Sequence, residues 1–445
     1  MSTAEDRKEG LARDAFVGRV IDQANARKDG DGDQWWQTFR REQAQGLVGK
    51  ALPTRKDEEW KFISLKGLSE PDYISDEDVA PVVDESLLRS RAVSESEGAR
   101  LVFSNGRFLA DLSDTSALPD EGVEVTTLGE LRDAGDLAKI EEFVDIADYW
   151  KDDVFYLANG ANSQEGAVVL VDDGVVVETP IHIVYVGGAD RPFMTHPRQI
   201  VVAGESSQVT VIEEHISGKD SVYLTNVVGE YSLSKNAYIR HIKLQDQGDA
   251  SFHVARNQVT LKRDANYDAT AVNLGSELSR NDSYALFDGK HIECTLDGLV
   301  YLTGSKVSDT HTAIDHALPD STSYQLQKAI VDDRAHSVFN GKIFVRQDAQ
   351  RIDSNQLNQN LLLSDRAKVD TKPQLEIFAD DVVCSHGATV GQLEEEQLFY
   401  MLARGIEKER AQSLLTYAFA AEILEDVTIS SLRQRLEQYL MEKTH

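Results

Sequence analysis

"AVVLVDDGVVVETPIHIVYVGG", residues 167–188, sets the texture of the chain. Runs of Val, Ile, Leu and Tyr stop at Asp-Asp-Gly, at Pro180 and at a glycine pair. That is the pattern of short strands closed by turns. The texture recurs in "IVVAGESSQVTVIEEHIS", "VYLTNVVGEYSLS", "SFHVARNQVTLK", "HIECTLDGLVYLTG", "SVFNGKIFV" and "NQLNQNLLLS". No convincing helix interrupts it for most of residues 166–388, so this body is expected to be all β. A sandwich, a propeller and a β-solenoid compete. A propeller should repeat at blade length with a marker dipeptide, and none is found. Asn and Gln are frequent, as in "DSNQLNQN", and suit stacking between successive coils. The residues favour a β-helix of moderate regularity.

Outward from this body, residues 1–165 read as a helical and mixed region. "LARDAFVGRVIDQANAR" and "DQWWQTFRREQAQGLVGKAL" space apolar residues at three and four. In "LPTRKDEEWKFISL", Pro53 stops the preceding helix, and Trp60 and Phe62 read as anchors on the body or as ordinary packing. "ARLVFSNGRFLADLS" predicts a hairpin around Asn105-Gly106, a pair suited to a type I′ turn. "TTLGELRDAG", with Thr127 as a cap, and "DLAKIEEFVDIADYW" predict helices.

Residues 389–445 predict a helical domain. "LEEEQLFYMLARG" places three acids at the positive end of its helix and closes on Gly405. "EKERAQSLLTYAFAAEILEDV" aligns Leu414, Leu415, Ala418, Phe419, Ile423 and Leu424 on one broad face. "TISSLRQRLEQYLMEK" follows, with Thr428 or Ser430 as its cap. The apolar stripe either docks on the body or receives a partner.

The 445 residues include 76 acidic and 46 basic ones, a net charge of -30. That balance argues against unspecific binding to nucleic acid or to an anionic membrane. The charged start has no apolar leader, and no run of 18 apolar residues occurs, so a soluble, cytoplasmic protein is expected. Two cysteines do not make a disulfide framework or a four-thiolate metal site. A reducing compartment fits. No phosphate loop, dinucleotide fingerprint, nucleophile elbow or H-E-x-x-H is present. ATP hydrolysis, dinucleotide redox chemistry and zinc proteolysis therefore lack support.

Two clusters remain. "DTHTAIDHALPD" holds His311, Asp315 and His316, as metal ligands or as a polar turn. "ADDVVCSHGATVGQL" puts Cys384 two residues before His386 at the end of the β body. On an extended segment both face one way. A helix starting near Gln392 or an imidazolium would depress the thiol's pKa. The pair offers one soft and one borderline ligand, suited to iron or zinc. Two ligands do not hold a cluster, so a second chain would supply the rest. The alternative is a small buried Cys384 beside a structural His386.

The block "NGKIFVRQDAQRIDSNQLNQNLLLSDRAKVDTKPQLEIFADDVVCSHGATVGQLEEEQLFYMLARGIEKERAQSLLTYAFAAEI", residues 340–423, resembles the SufB/SufD family of iron–sulfur cluster assembly proteins. "LPTRKDEEWKF" and "DHALPDSTSYQLQKAI" extend the resemblance over most of the chain. "PQLEIFADD" with "VCSHGATVGQL" is similar to the SufD branch. The resemblance implies a right-handed parallel β-helix between an N-terminal helical/mixed domain (1–165) and a C-terminal helical domain (389–445), with the β core at 166–388. It implies pairing with SufB through the β-helix ends and binding of the ATPase SufC by the C-terminal helices, where Leu414, Leu415, Ala418 and Phe419 are the expected contacts. A homodimer is implied when SufB is absent.

His386 falls on the family's functional histidine and would share a transient iron–sulfur cluster with SufB. Cys384 matches the neighbouring family cysteine. A contribution to iron acquisition is also implied. No cofactor is expected to stay bound to the isolated chain, which is expected to be non-catalytic. Reduced flavin is associated with such complexes, but no flavin motif is seen. Opposed to this stand a free-standing β-helix enzyme acting on carbohydrate and a purely structural partner protein.

Overall fold

In the computed structural model, which describes residues 4–27, 34–82, 84–145, 148–218 and 220–443, the β texture resolves into two sheets of eleven and ten strands. The chain alternates between them, so each long strand pairs in parallel with the strand one coil later. Leu224 pairs with Phe252, Phe252 with Leu278, Leu278 with Val307 and Val307 with His336 in one sheet. Gln208, Tyr238, Asn266, Glu293, Thr322 and Asp353 follow each other in the second. A coil takes 26 residues from Phe252 to Leu278 and 32 from His336 to Lys368. The expected β-helix is therefore present, as a parallel solenoid of about 7 turns.

In-register pairing stacks inward side chains into columns. Val169, Val201, Tyr231, Val259, Ala285, Ile314 and Ile343 form one such column, every member buried. Each aliphatic member contributes about 1.5–3 kcal/mol by leaving water. Polar residues hold the corners: Asn236, Asp264, Asp320 and Asp333 have φ of 58°, 61°, 68° and 52°. Asn and Asp tolerate this left-handed conformation better than other side chains.

The N-terminal region closes the first coil. The hairpin Arg100–Ser104 and Arg107–Phe108 forms as expected, with Asn105 at φ 48° and Gly106 at 77°. Its first strand pairs in parallel with Ile181–Gly187, and Val123–Thr127 pairs antiparallel with Ala167–Val171. Thr127 caps the helix Leu128–Ala134 through a reciprocal box with Glu130.

The expected helices Ala4–Ala26 and Gln34–Leu47 form; residues 28–33 lie outside the described residues. The helix expected across "DLAKIEEFVDIADYW" does not form. Three separate single 3₁₀ turns take its place, at Leu137–Lys139, Glu141–Phe143 and Asp148–Trp150, and residues 146–147 lie outside the described residues. Leu137 and Ile140, three residues apart, both reach one core with Trp36 and Leu131 from a single turn, so no longer helix is needed.

The helix Val154–Asn162 was not legible, because all nine of its residues are buried and it has no polar face. Polar bonds fasten it to the solenoid. Fully buried Arg198 makes a bidentate contact to Glu230 (2.9 and 2.8 Å) and donates to the Tyr156 hydroxyl and Asn159 Oδ1. Trp60 is buried against Phe155, with the Arg280 guanidinium 4.2 Å above its ring.

The helices Lys408–Glu425 and Ser430–Lys443 cover the outer face of the ten-stranded sheet. Ala420, Ile423, Leu424, Leu432, Leu436 and Leu440 pack there on Ile242, Leu299, Tyr301 and Ile330. The last helix is not capped by Thr428 or Ser430: Glu95, from the N-terminal region, accepts the Ser431 N–H at 3.0 Å, and Thr428 takes a bond from Arg240.

Under the joint between these helices, burial and the nearby Asp426 and Asp268 push Asp297 up to about 7. An aspartate held protonated in the fold but ionised in the unfolded chain makes stability fall as pH rises from about 4 to about 7. Asp297→Asn removes that term. The melting temperature of the variant relative to the parent should climb between about pH 5 and pH 8, and a pH-independent difference would contradict the assignment.

Candidate functional site

The C-terminal end of the solenoid is built differently from its start. The strand Val382–Gly391 is the last of the ten-stranded sheet and Lys368–Ile377 the last of the path through the other. Each pairs on one side only, so each carries a row of free backbone N–H and C=O groups. Val383, Val390 and Phe378 are each at least half exposed beside that edge.

Register places the sequence-predicted pair on this last strand. Ser354 pairs with Cys384, Gln356 with His386, Asn358 with Ala388 and Asn360 with Val390. The four residues of the earlier coil are buried inward positions. Cys384 and His386 thus continue two interior columns into the open mouth of the solenoid, on one face as their spacing requires. His386 is exposed and Cys384 half-buried. Cys384 packs against the small apolar cluster that contains Ile343, Val345 and Ile352.

The expectation of an activated thiol is not met. Burial and the neighbouring Asp353 carboxylate push the Cys384 thiol above its ordinary value, and the nearest following helix begins only at Glu395. Cys294 lies deep inside the solenoid and is pushed up further by burial.

A polar ladder leads inward from this mouth. Ser323 and Ser354 hydroxyls bond at 2.7 Å, and His316 Nε2 meets Ser323 at 3.0 Å. Thr312 donates to Gln325 Oε1 at 2.7 Å, and Gln356 Nε2 donates to the same oxygen at 3.3 Å. The reading of the Asn- and Gln-rich stretch as coil-to-coil stacking holds here. Nothing local in the sequence signals that Gln356 stands directly behind His386; that needs the register.

The candidate cluster in "DTHTAIDHALPD" comes apart. The part that holds the three residues is a strand, Val307–His316, and the bend comes after it, at residues 318–320. His316 faces inward to Ser323, while His311 faces outward to Asp309 and Asp315 to Tyr284 and Arg346. His311 helps close a cavity of about 700 Å³ lined also by Trp60, Tyr149, Arg280 and Asn340. The His311 ring and Lys342 hold Glu59 there at about 2, against the cost of its burial. Among the described residues no group of three His, Cys, Asp or Glu is arranged to hold a metal ion.

The helical domain offers a second bare surface. In the helix Glu395–Leu402 no residue is buried, and Phe399 and Tyr400 are 71% and 58% exposed. Of the four expected partner contacts, Ala418 is exposed and Leu414 and Leu415 are half-buried. Phe419 is half-buried against the body, with Lys328 Nζ 4.8 Å from its ring.

A β-solenoid between helical regions, ending in Cys-x-His on an open edge, is the architecture that the resemblance to iron–sulfur cluster assembly proteins implied. Comparison with known proteins agrees. Residues 185–419 match the model of the SUF system FeS cluster assembly SufBD core domain, and residues 24–183 match that of the SufBD N-terminal region. The chain belongs to the SufBD family, and its role is in iron–sulfur cluster assembly.

It is 33% identical to the iron–sulfur cluster assembly protein SufD of Escherichia coli, over 88% of this chain and 89% of that one. A SufBD family protein of Synechocystis is 36% identical over 90% and 89% of the two chains. The chloroplastic protein ABCI7 of Arabidopsis thaliana is 33% identical over 91% and 85%. No described helix is long and apolar enough to cross a membrane.

The two thiols should separate cleanly. At about pH 7.5, below the ordinary cysteine value, iodoacetamide should label Cys384 more slowly than a free thiol and spare Cys294 until denaturant is added. Fast labelling of Cys384 would show an activated thiol after all.

Proposed function

We propose that this chain is a SufD-like, non-catalytic subunit of a cytoplasmic cluster assembly complex. It pairs with SufB through the open end of its solenoid and presents His386 to a cluster that is the cargo of the complex. The carrying observation is the column position of His386: it extends the interior of the solenoid into the mouth, on a strand whose outer edge is unpaired. A second open-ended solenoid would supply the missing strand and, with it, further ligands beside His386. An exposed imidazole nitrogen is a borderline ligand suited to iron. In the absence of SufB, a second copy of this chain meets the same requirement. Contribution to iron acquisition would run through the same histidine. Cys384, with its thiol protonated, packs the mouth and is a secondary ligand at most.

The ATPase partner, of the SufC type, is assigned to the bare face of Glu395–Leu402 together with Leu414, Leu415 and Ala418. Aromatic side chains left mostly exposed in the free chain, Phe399 and Tyr400, are what a hot spot requires. Phe419 is reassigned to packing within the chain.

His386→Ala, assembled with SufB and the ATPase, should leave the complex intact and lower cluster formation by about tenfold or more. An unchanged rate would leave the chain as a purely structural partner. The double variant Phe399→Asp, Tyr400→Ser should weaken capture of the ATPase by at least about 2 kcal/mol, roughly thirtyfold. The melting temperature of the free chain should not move. Undiminished capture would reject that surface.

A further inference from the structure

The residue behind His386 is wholly enclosed, yet its hydrogen bonding is incomplete. Gln356 is 0% exposed. Its Nε2 donates toward the preceding coil, to Gln325 Oε1 at 3.3 Å, and that oxygen also accepts the Thr312 hydroxyl at 2.7 Å. Gln356 Oε1 has no partner. A buried carbonyl oxygen left so is an acceptor that a neighbouring donor can complete.

The direction of that oxygen follows from the amide. Oxygen and nitrogen leave the amide carbon on opposite sides, so an Nε2 turned toward the strand Thr322–Val331 turns Oε1 toward the strand Val382–Gly391. The residue of that strand in register with Gln356 is His386. Imidazole is a donor at one nitrogen and an acceptor at the other when neutral. Gly341 borders the amide from the facing sheet: a Cβ there would lie 2.0 Å from Gln356 Nε2 and would push the amide aside.

We propose that Gln356 is the positioning residue of His386: its Oε1 accepts one ring N–H, fixes the tautomer and aims the other nitrogen out of the mouth. This rests on the reading of His386 as a cluster ligand. A ligating imidazole whose second nitrogen is held by an acceptor is a common arrangement, and losing the acceptor weakens metal affinity or activity about 10–100-fold. The bonds from His386 and from Thr312 then converge on Gln325 Oε1. Thr312 and Gln356 both donate to Gln325, and Gln356 accepts from His386. The ladder anchors the ring to the body, although His386 stands on an edge strand with a partner on one side only.

The test reads the ring itself. In the full-length chain labelled with ¹⁵N-histidine, at about pH 8.5 and so above the ordinary histidine value, His386 should show one dominant tautomer, assigned by its loss in His386→Ala. Gln356→Leu should convert it to a mixture. Gln356→Glu, which keeps an acceptor at the same reach, should restore a single tautomer. Gly341→Ala, which pushes the amide aside without removing it, should act like Gln356→Leu and covers the case in which that variant fails to fold. In the assembled complex, Gln356→Leu should slow cluster formation about tenfold.

The same tautomer ratio in the parent chain, Gln356→Leu and Gly341→Ala would overturn the proposal. The ring measurement needs no cluster, so it stands or falls separately from the ligand reading. If His386→Ala leaves assembly intact while the tautomer still depends on Gln356, the positioning is right and the cargo is wrong.

Discussion

In-register parallel pairing is the constraint from which the rest of the molecule follows. A strand in such a stack needs a neighbour above and below to satisfy its backbone groups. The interior coils supply this to one another. The first coil receives it from Arg100–Ser104 and Val123–Thr127, which leave the N-terminal region to join the two sheets. The last coil receives it from nothing among the described residues. Such an edge can be completed only by another polypeptide, and Cys384 and His386 project beside it.

The same pairing governs what fills the interior. Stacked columns put like on like, and the character of the lumen changes along its length. An aliphatic column seals the core through Ile343, while serines and glutamines on the facing sheet bond from coil to coil near the mouth. Such a ladder penalises a slip of one residue, because every amide and hydroxyl would lose its partner at once. On the outside, helices cover both sheets. The buried ionic row of Arg280, with Asp282 at 2.7 and 2.9 Å and Asp309 at 2.7 Å, holds the segment around Trp60 onto the body. Removing one member of such a pair strands a charge in low dielectric, so the N-terminal region is bound to the solenoid by specificity as much as by apolar contact.

What the sequence disclosed was local chemistry. Asn105-Gly106 announced its turn, Thr127 with Glu130 its cap, Gly405 its helix end, and the run from Ala167 its strands; in each case neighbours along the chain carry the signal. Val154–Asn162 was hidden because a helix buried on all sides has no amphipathic period to read. The turns after Asp136 look helical in sequence because Leu137 and Ile140 have helical spacing, yet one turn brings both to the same core. Cys384 and His386 could be placed on one face from spacing alone. Gln356 could not be placed behind His386, since that neighbour is 30 residues away and depends on the length of one coil. The thiol's environment was equally out of reach: Asp353, from the preceding coil, works against the activation that a nearby helix would have given.

The two ends of the solenoid differ, and that difference sets a limit on growth. Stacked β coils with both ends bare would add copies without limit, as fibrils do. Here one end is permanently blocked by the chain's own strands. A single encounter between two such mouths would consume the remaining edge of both and leave the pair with two blocked ends. The molecule can therefore expose a length of unpaired, partly apolar sheet at one end without offering the two bare ends that a filament of stacked coils needs.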